Sequence, residues 1–452
     1  MVFGFRRKMS QNLRSIIRDA ARELPDISDS SFGSYFDQFG SSRVVLIGDG
    51  SHGTSEFYRA RAAITKRLIS EHGFNTVCLE CDWPDARTID HYTRLHPRRR
   101  GTSSEPDVHS LRIFNHFPRW MWRNTETQDF VDWLREHNAQ LPMNKRTSFN
   151  GLDVYSMGRS TRAVVEYLDR VDPALAEFAR RRYGCLEPWL DDPAEYGRAT
   201  SHSSSLTCES GVIKMLQDLL AKRLELASHP ENGESFLDAE MNARVVQDSE
   251  AYYRALYHAD RSSSWDLRDT HMHVILTRLL KLRPGSKAVV WAHNSHVGDA
   301  RGTFQKPREI NLGQLCRESF GSDKISILGC GTHIGTVAAA DDWDTEMCVK
   351  RINPSLETSY EGLFHSVGLR SFLLDIRSNP SLLAADNKGL LQRFIGVIYR
   401  PDTERSSHYV HCLLTRQYDA FLWFDETEAV HPFEIAQPKE PLAKGETYPF
   451  GL

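Results

Sequence analysis

The sequence predicts an α/β protein of three layers: a mainly parallel sheet, helices on both faces, and a helical cap over the carboxyl edge of that sheet. Three observations carry the prediction. Short apolar runs such as Val44–Gly48 and Ala288–Ala292 stop at polar turns, the pattern of strands buried on both faces. The first run is followed by helical periodicity and then a second run, Thr76–Leu79, which makes a strand–helix–strand unit. A long helix-periodic stretch around 190–283 then separates this unit from the later strands.

Composition narrows the function classes. With 452 residues, 40% of them hydrophobic, the chain supports a large core without staples and is not a disordered sequence. Lys and Arg number 56 against 60 Asp and Glu, a formal charge of −4. A general polyanion binder needs a positive field instead. No apolar stretch approaches the roughly 20 residues of a membrane span, and the Arg-rich start, Met1–Leu24, lacks the apolar core of a secretory signal. The expectation is a cytoplasmic protein with neither a nucleic-acid nor a membrane partner, its oligomeric state undetermined. Of eight cysteines only Cys78 and Cys81 are close in sequence. Cys78 sits in an apolar run, where a buried free thiol is expected rather than a redox or zinc role.

Residues 1–40 read as an N-terminal helical extension, 41–432 as one α/β domain, and 433–452 as a tail. After the strand Val44–Gly48 comes the turn Asp49-Gly-Ser-His-Gly53. Thr54 is then a helix N-cap, with Glu56 in the first turn, where exposed amides favour an acid. Phe57, Ile64 and Leu68 give this helix a buried stripe that also carries Arg61, a placed charge, and Gly73 closes it. The strand Thr76–Leu79 ends at Glu80. Residues 95–115 read as a long loop whose triplet Arg98–Arg100 is a solvated face. Phe117–Trp133 is dense in aromatics and helical beyond Thr125; Ser148–Asp153 is a strand ending at an acid, and Thr161–Leu168 a helix. Within the cap, Met241, Val245, Tyr252 and Leu256 mark one helix and Met272 to Leu280 another, while 193–210 and 228–233 read as connectors. Strands resume at Ala288–Ala292, Ile325–Gly329, Phe372–Ile376, Phe394–Tyr399 and Ala420–Phe424.

The familiar catalytic signatures are missing: no Gly-x-Ser-x-Gly elbow, no Walker A loop and no dinucleotide fingerprint. What stands out is a pair of matching turns. Ile47 to His52 can be laid on Trp291 to His296, which sets Asp49 opposite His293 and His52 opposite His296. Strand-end loops of a parallel sheet are where ligands bind, so His52, His293 and His296 with Asp49, Arg61 and Glu80 form the candidate site. A histidine of near-neutral pKa takes a proton from water. A carboxylate on its other nitrogen fixes the tautomer, and an arginine or second histidine faces the developing oxyanion. That set suffices for direct ester hydrolysis without a covalent intermediate. It also fits a divalent-metal site, or a pocket that binds without turnover.

The segments Leu46-Ile-Gly-Asp-Gly-Ser-His-Gly-Thr-Ser-Glu-Phe57, Leu79-Glu-Cys-Asp-Trp-Pro84 and Trp291-Ala-His-Asn-Ser-His-Val-Gly-Asp-Ala-Arg301 resemble the erythromycin esterase family. Trp120–Asn124, Cys185–Trp189 and Arg400–Tyr409 extend the likeness, which runs from about Ser42 to Pro432. The resemblance implies a carboxylic ester hydrolase able to open a macrolactone, with a small ester or lactone as substrate and no obligatory metal or other cofactor. It implies His52 as the base that activates water, with Arg61, Glu80, His293 and His296 at the family's other site positions. The family's first turn usually reads Gly-Glu-x-x-His, whereas this chain has Asp49, a carboxylate one methylene shorter. Glu240, Arg244, Arg268, His271 and Glu404 are further candidates for lining the substrate cleft.

Overall fold

The computed structural model describes residues 12–96, 111–114, 118–203, 206–222, 233–257, 262–304 and 309–433. The Arg98–Arg100 triplet with most of its expected loop, nearly all of the connector 228–233, and the tail beyond 433 lie outside the described residues. In chain order the strands are β1 (Ala21–Glu23), β2 (Val44–Ile47), β3 (Thr76–Asp82), β4 (Ser148–Asp153), β5 (Ala288–Trp291), β6 (Ile325–Ala340), β7 (Met347–Ile352), β8 (Ser371–Asp375), β9 (Leu390–Arg393), β10 (Tyr409–Cys412) and β11 (Ala420–Thr427). The chain divides into two compact units. Unit 1 comprises residues 1–77, 92–148 and 283–452, and unit 2 comprises residues 78–91 and 149–282.

In unit 1 the strands lie in the order β1-β8-β11-β6-β2-β5, with β7 also on β6. The middle is parallel: β2 pairs with both β5 and β6, so that Ile47 faces Trp291 on one side and Leu328 on the other, and β11 runs parallel to β6. The outer strand β8 is antiparallel to β11, and β1 to β8. All four residues of β2 and all four of β5 are buried, as strands covered on both faces require. The fold is therefore α/β, a mixed and mostly parallel sheet flanked by helices, as the sequence predicts. The helix Ser55–His72 follows β2 and ends at Gly73, which adopts the left-handed conformation (φ 72°). Phe57, Ile64 and Leu68 are fully buried on it, and so is Arg61.

Two strand expectations in unit 1 are corrected. Ile325–Gly329 is only the start of β6, which continues to Ala340. Phe394–Tyr399 is not a strand. It runs as irregular chain after β9, with single bridges from Ile395 to Ser51 and from Ile398 to Ala340. Phe394, Ile395, Val397 and Tyr399 are buried all the same, and Ile395 and Tyr399 join Val337, Ala339 and Ile352 in one cluster. Apolar runs report burial, and here burial came without a ladder.

In unit 2, β3 and β4 are neighbours. The helices Met157–Val171, Pro173–Tyr183, Glu209–Ala221 and Gly233–Leu256 enclose a core that includes Val164, Leu168, Val212, Met215 and Val246. The connector expected over 193–210 is mostly a helix, Pro193–His202. Proline here is a starter: Asp192 accepts hydrogen bonds from the backbone of Ala194 and Glu195, and proline at the first helical position lacks only an N–H that would have no helical partner. Cys185 and Cys208 form a disulfide across this unit, with Cα atoms 5.9 Å apart, a pairing that scattered cysteines do not announce. Cys78 and Cys81 are buried free thiols, as expected.

Candidate active site

The site in unit 1 is built on two strand-end turns held together by backbone. Beyond the register pair Ile47–Trp291, the amide of Asn294 donates to the carbonyl of Asp49 at 2.8 Å. The side chain of Asn294 then donates to the carbonyl of Cys330 and accepts from its amide, at 2.7 and 3.2 Å. A third segment closes over the first turn: the Ile395 amide donates to Gly50 and the His52 amide donates to Ile395, at 2.9 and 3.2 Å. This is why Phe394–Tyr399 is apolar and buried without being a strand. Gly53 lies against β6, with Ala338 donating to its carbonyl at 3.0 Å. A Cβ at Gly53 would fall on the Ala338 carbonyl, far inside van der Waals contact.

Asp49, His52, Arg61, His293 and His296 are all at most 1% exposed. Asp49 faces two partners. Its Oδ2 is 2.7 Å from Nη1 of Arg61, and its Oδ1 is 3.5 Å from Nδ1 of His52. Burial alone would raise the Asp49 carboxyl; Arg61, His52 and His293 together outweigh burial and hold it below the usual carboxylate range. The rings of His52 and His293 lie 4.8 Å apart, tilted by 46°. His293 also caps the short helix Asn294–Val297, its Nδ1 2.8 Å from the hydroxyl of Ser295. His296 sits in that same helix.

Arg61 is boxed by aromatic faces. Its guanidinium carbon is 4.4 Å from the ring centre of Tyr58, 5.4 Å from that of Trp291 and 5.8 Å from that of Trp122. Tyr58 in turn donates to the carbonyls of His52 and Met121, at 2.7 and 2.6 Å. Tyr58 and Trp122 were not on the candidate list. The signal for Tyr58 was available, since it lies one helical turn before Arg61. Thr54 starts its helix as expected but without a side-chain cap; its hydroxyl pairs with that of Ser51.

Glu80 belongs to a cluster inside unit 2. Nη2 of Arg268 is 2.6 Å from Glu80 and 2.7 Å from Asp153, while its Nε donates to Asp153 at 2.9 Å. All three residues are at most 4% exposed. Desolvation opposes the arginine charge, but Asp153, Tyr155 and Glu80 overcome it and raise the Arg268 pKa. Asp82, two residues after Glu80, is pushed up to about 7 by burial and by Asp153, against the opposing pull of Arg159. Asp153 is the strand-end acid of Ser148–Asp153 that the candidate list omits.

The remaining candidates are committed to local partners. Glu240 pairs with Arg244 at 3.0 Å and Arg278 at 2.8 Å, and His271 with Asp248 at 2.6 Å. In unit 1, Glu404 accepts from Arg393 at 3.1 Å and from Tyr399 at 3.0 Å. Among the described residues no three His, Cys, Asp or Glu side chains group so as to hold a metal ion, and no helix is long and apolar enough to cross a membrane.

The profile of the family described as Erythromycin esterase matches residues 69–427. Among characterised relatives, the Escherichia coli erythromycin esterase type II is 21% identical over 430 residues, spanning 86% of this chain and 96% of the relative. The type I enzyme of E. coli is 19% identical, over 65% of this chain and 70% of its own length. Among solved structures, a Bacillus cereus protein superposes with a TM-score of 0.78 at 18% identity, covering 94% of this chain and 99% of that one. A mutant erythromycin esterase EreC in its open conformation superposes with a TM-score of 0.68 at 15% identity, covering 92% and 99%.

Proposed function

Because the chain belongs to the erythromycin esterase family, we propose that it is a carboxylic ester hydrolase, lactones included, in which His52 activates water and no serine nucleophile takes part. One observation carries the reading: the buried sequence Arg61–Asp49–His52–His293, in which an ionised carboxylate held by an arginine faces a ring nitrogen of one histidine while a second histidine lies against that ring.

The contacts of this row support the following roles. With Nδ1 turned to Asp49, His52 takes the water proton on Nε2, and the Asp49 carboxylate stabilises the imidazolium that forms. At 3.5 Å this contact is at the outer edge of hydrogen bonding, as apo acid–base pairs often are. Arg61 is a positioning residue: engaged by Asp49 and walled by three rings, it keeps the carboxylate ionised. His293 and His296 are assigned to the oxyanion and to the proton the leaving alkoxide requires. Hydroxide adds to the ester carbonyl, the tetrahedral intermediate collapses with loss of alkoxide, and the alkoxide recovers the proton. Water is consumed, and acid and alcohol are the products. Within unit 2, Glu80 is held by Arg268, with which Asp153 also pairs.

The test is product formation by mass spectrometry on macrolactones, small lactones and simple esters, with His52→Ala in parallel. The expected outcome is a product heavier by one water, with kcat/KM lowered roughly 10²-fold or more in the variant and circular dichroism unchanged. Near-normal turnover by folded His52→Ala would remove His52 from the mechanism.

A further inference from the structure

A cavity of about 530 Å³ lies in unit 1, lined among others by Arg301, Arg317, Arg377, Arg416, Asp299 and Asp419. The arginines come from four separate places: the turn Ala300–Gly302, the helix Leu312–Phe320, the chain after β8, and the short helix Leu414–Gln417. Two aspartates organise three of them. Asp299 accepts from Arg301 at 2.7 and 2.9 Å and from Arg317 at 3.1 Å. Asp419 accepts from Arg317 at 2.9 Å and from Arg377 at 3.1 Å. Burial favours neutral Asp299, yet the arginines prevail and hold it below the usual carboxylate range.

Charge does not balance within this lining. Four guanidinium groups face two carboxylates within the lining; outside it Glu318 stands 3.4 Å from Arg301, and Asp323 feels the charge of Arg377. Donors are also left over. Arg416 has no ion-pair partner among the described residues, and the buried Nε of Arg317, whose side chain is 11% exposed, has no hydrogen-bond partner. Fixed guanidinium groups with unspent N–H bonds are suited to oxyanions, and groups already held by buried aspartates lose little freedom when a ligand arrives. Approach from four elements suits a tetrahedral group better than a planar one. The volume lies in the range of small-molecule sites and exceeds what a lone phosphate ion fills.

We propose that this arginine-lined cavity is a binding site for a phosphorylated small molecule, separate from the histidine site and independent of the hydrolytic reading. The experiment is isothermal titration calorimetry on the full chain with sodium pyrophosphate, inorganic phosphate and citrate at constant ionic strength, repeated with Arg416→Gln. Arg416 is exposed, and its one contact to the cluster, the carbonyl that accepts from Arg317 at 2.9 Å, is backbone and is kept in the variant, which is therefore expected to melt at the wild-type temperature. Saturable one-to-one binding, pyrophosphate tighter than phosphate or citrate, and a loss of about tenfold in Arg416→Gln are the expected results. Absence of saturable heat with any of the three, equal affinity in the variant, or citrate binding tightest would overturn the proposal.

Discussion

Asp49 shows how much depends on one side chain. It is completely buried, yet Arg61, His52 and His293 overcome the burial and lower its pKa. A carboxyl whose pKa is lower in the folded than in the unfolded chain stabilises the fold above its unfolded value of ~3.9. That stability drains away as pH falls through the folded value. Asp49→Asn is therefore expected to flatten the loss of stability between about pH 5 and 3, measured by urea unfolding at each pH. The variant also leaves Arg61 without its charged partner, so it should start lower at neutral pH, by roughly 3–5 kcal/mol if the buried cation finds no other. An unchanged acid slope would show that Asp49 is not ionised in the fold. Asp49→Glu, which lengthens the carboxylate by one methylene, should alter turnover more than it alters stability, as read from kcat and the melting temperature together.

At the scale of elements, glycine explains both a success and a failure of sequence reading. Gly48 and Gly53 frame the first turn, which follows the buried strand β2 as the sequence predicts. Gly53 leaves no room for a side chain beside the Ala338 carbonyl. Gly53→Ala should cost roughly 1–3 kcal/mol through forced backbone shifts, seen as a lower melting temperature, and a neutral effect would mean the turn and β6 are not in contact. The same residue type misled the reading of β6. Gly329 looks like a strand end, but the strand passes through it, because a Cβ there would press on the rings of Phe421 and Tyr418 at 2.8 Å. Glycine marks close approach as readily as it marks a stop. Pro193 failed in the same way, as a helix start taken for a break.

For the whole molecule, what was legible was whatever is local. Apolar runs located the buried strands, and the strand-end position of charged residues located Asp49, His52, His293 and Glu80. Pairing over long sequence distance was not legible: nothing near Arg268 announces Glu80, 188 residues away, nor does Arg61 announce Trp291. The disulfide and the buried run at Phe394–Tyr399 were missed for the same reason, since each is fixed by a partner far along the chain. Away from these clusters, β6 changes partners along its sixteen residues. Its start, Ile325–Leu328, is registered with β2 and the next stretch, from Leu328 on, with β11, so that Leu328 faces Ile47 and Ala420 at once. From Thr336 onward its registered ladder partner is β7, several of whose residues are exposed. Backbone amides flanked on both sides open only with the global core, whereas singly flanked ones open locally. On the side away from β7, Ala338 donates to Gly53 and Ala340 to Val397, and residues 337–340 are fully buried, so deuterium uptake at these two amides should be as slow as across 326–330, and fast uptake there would contradict this. One continuous strand then ties the turn bearing His52 to the centre of the sheet, so an opening of that turn is an opening of the far end of β6 as well.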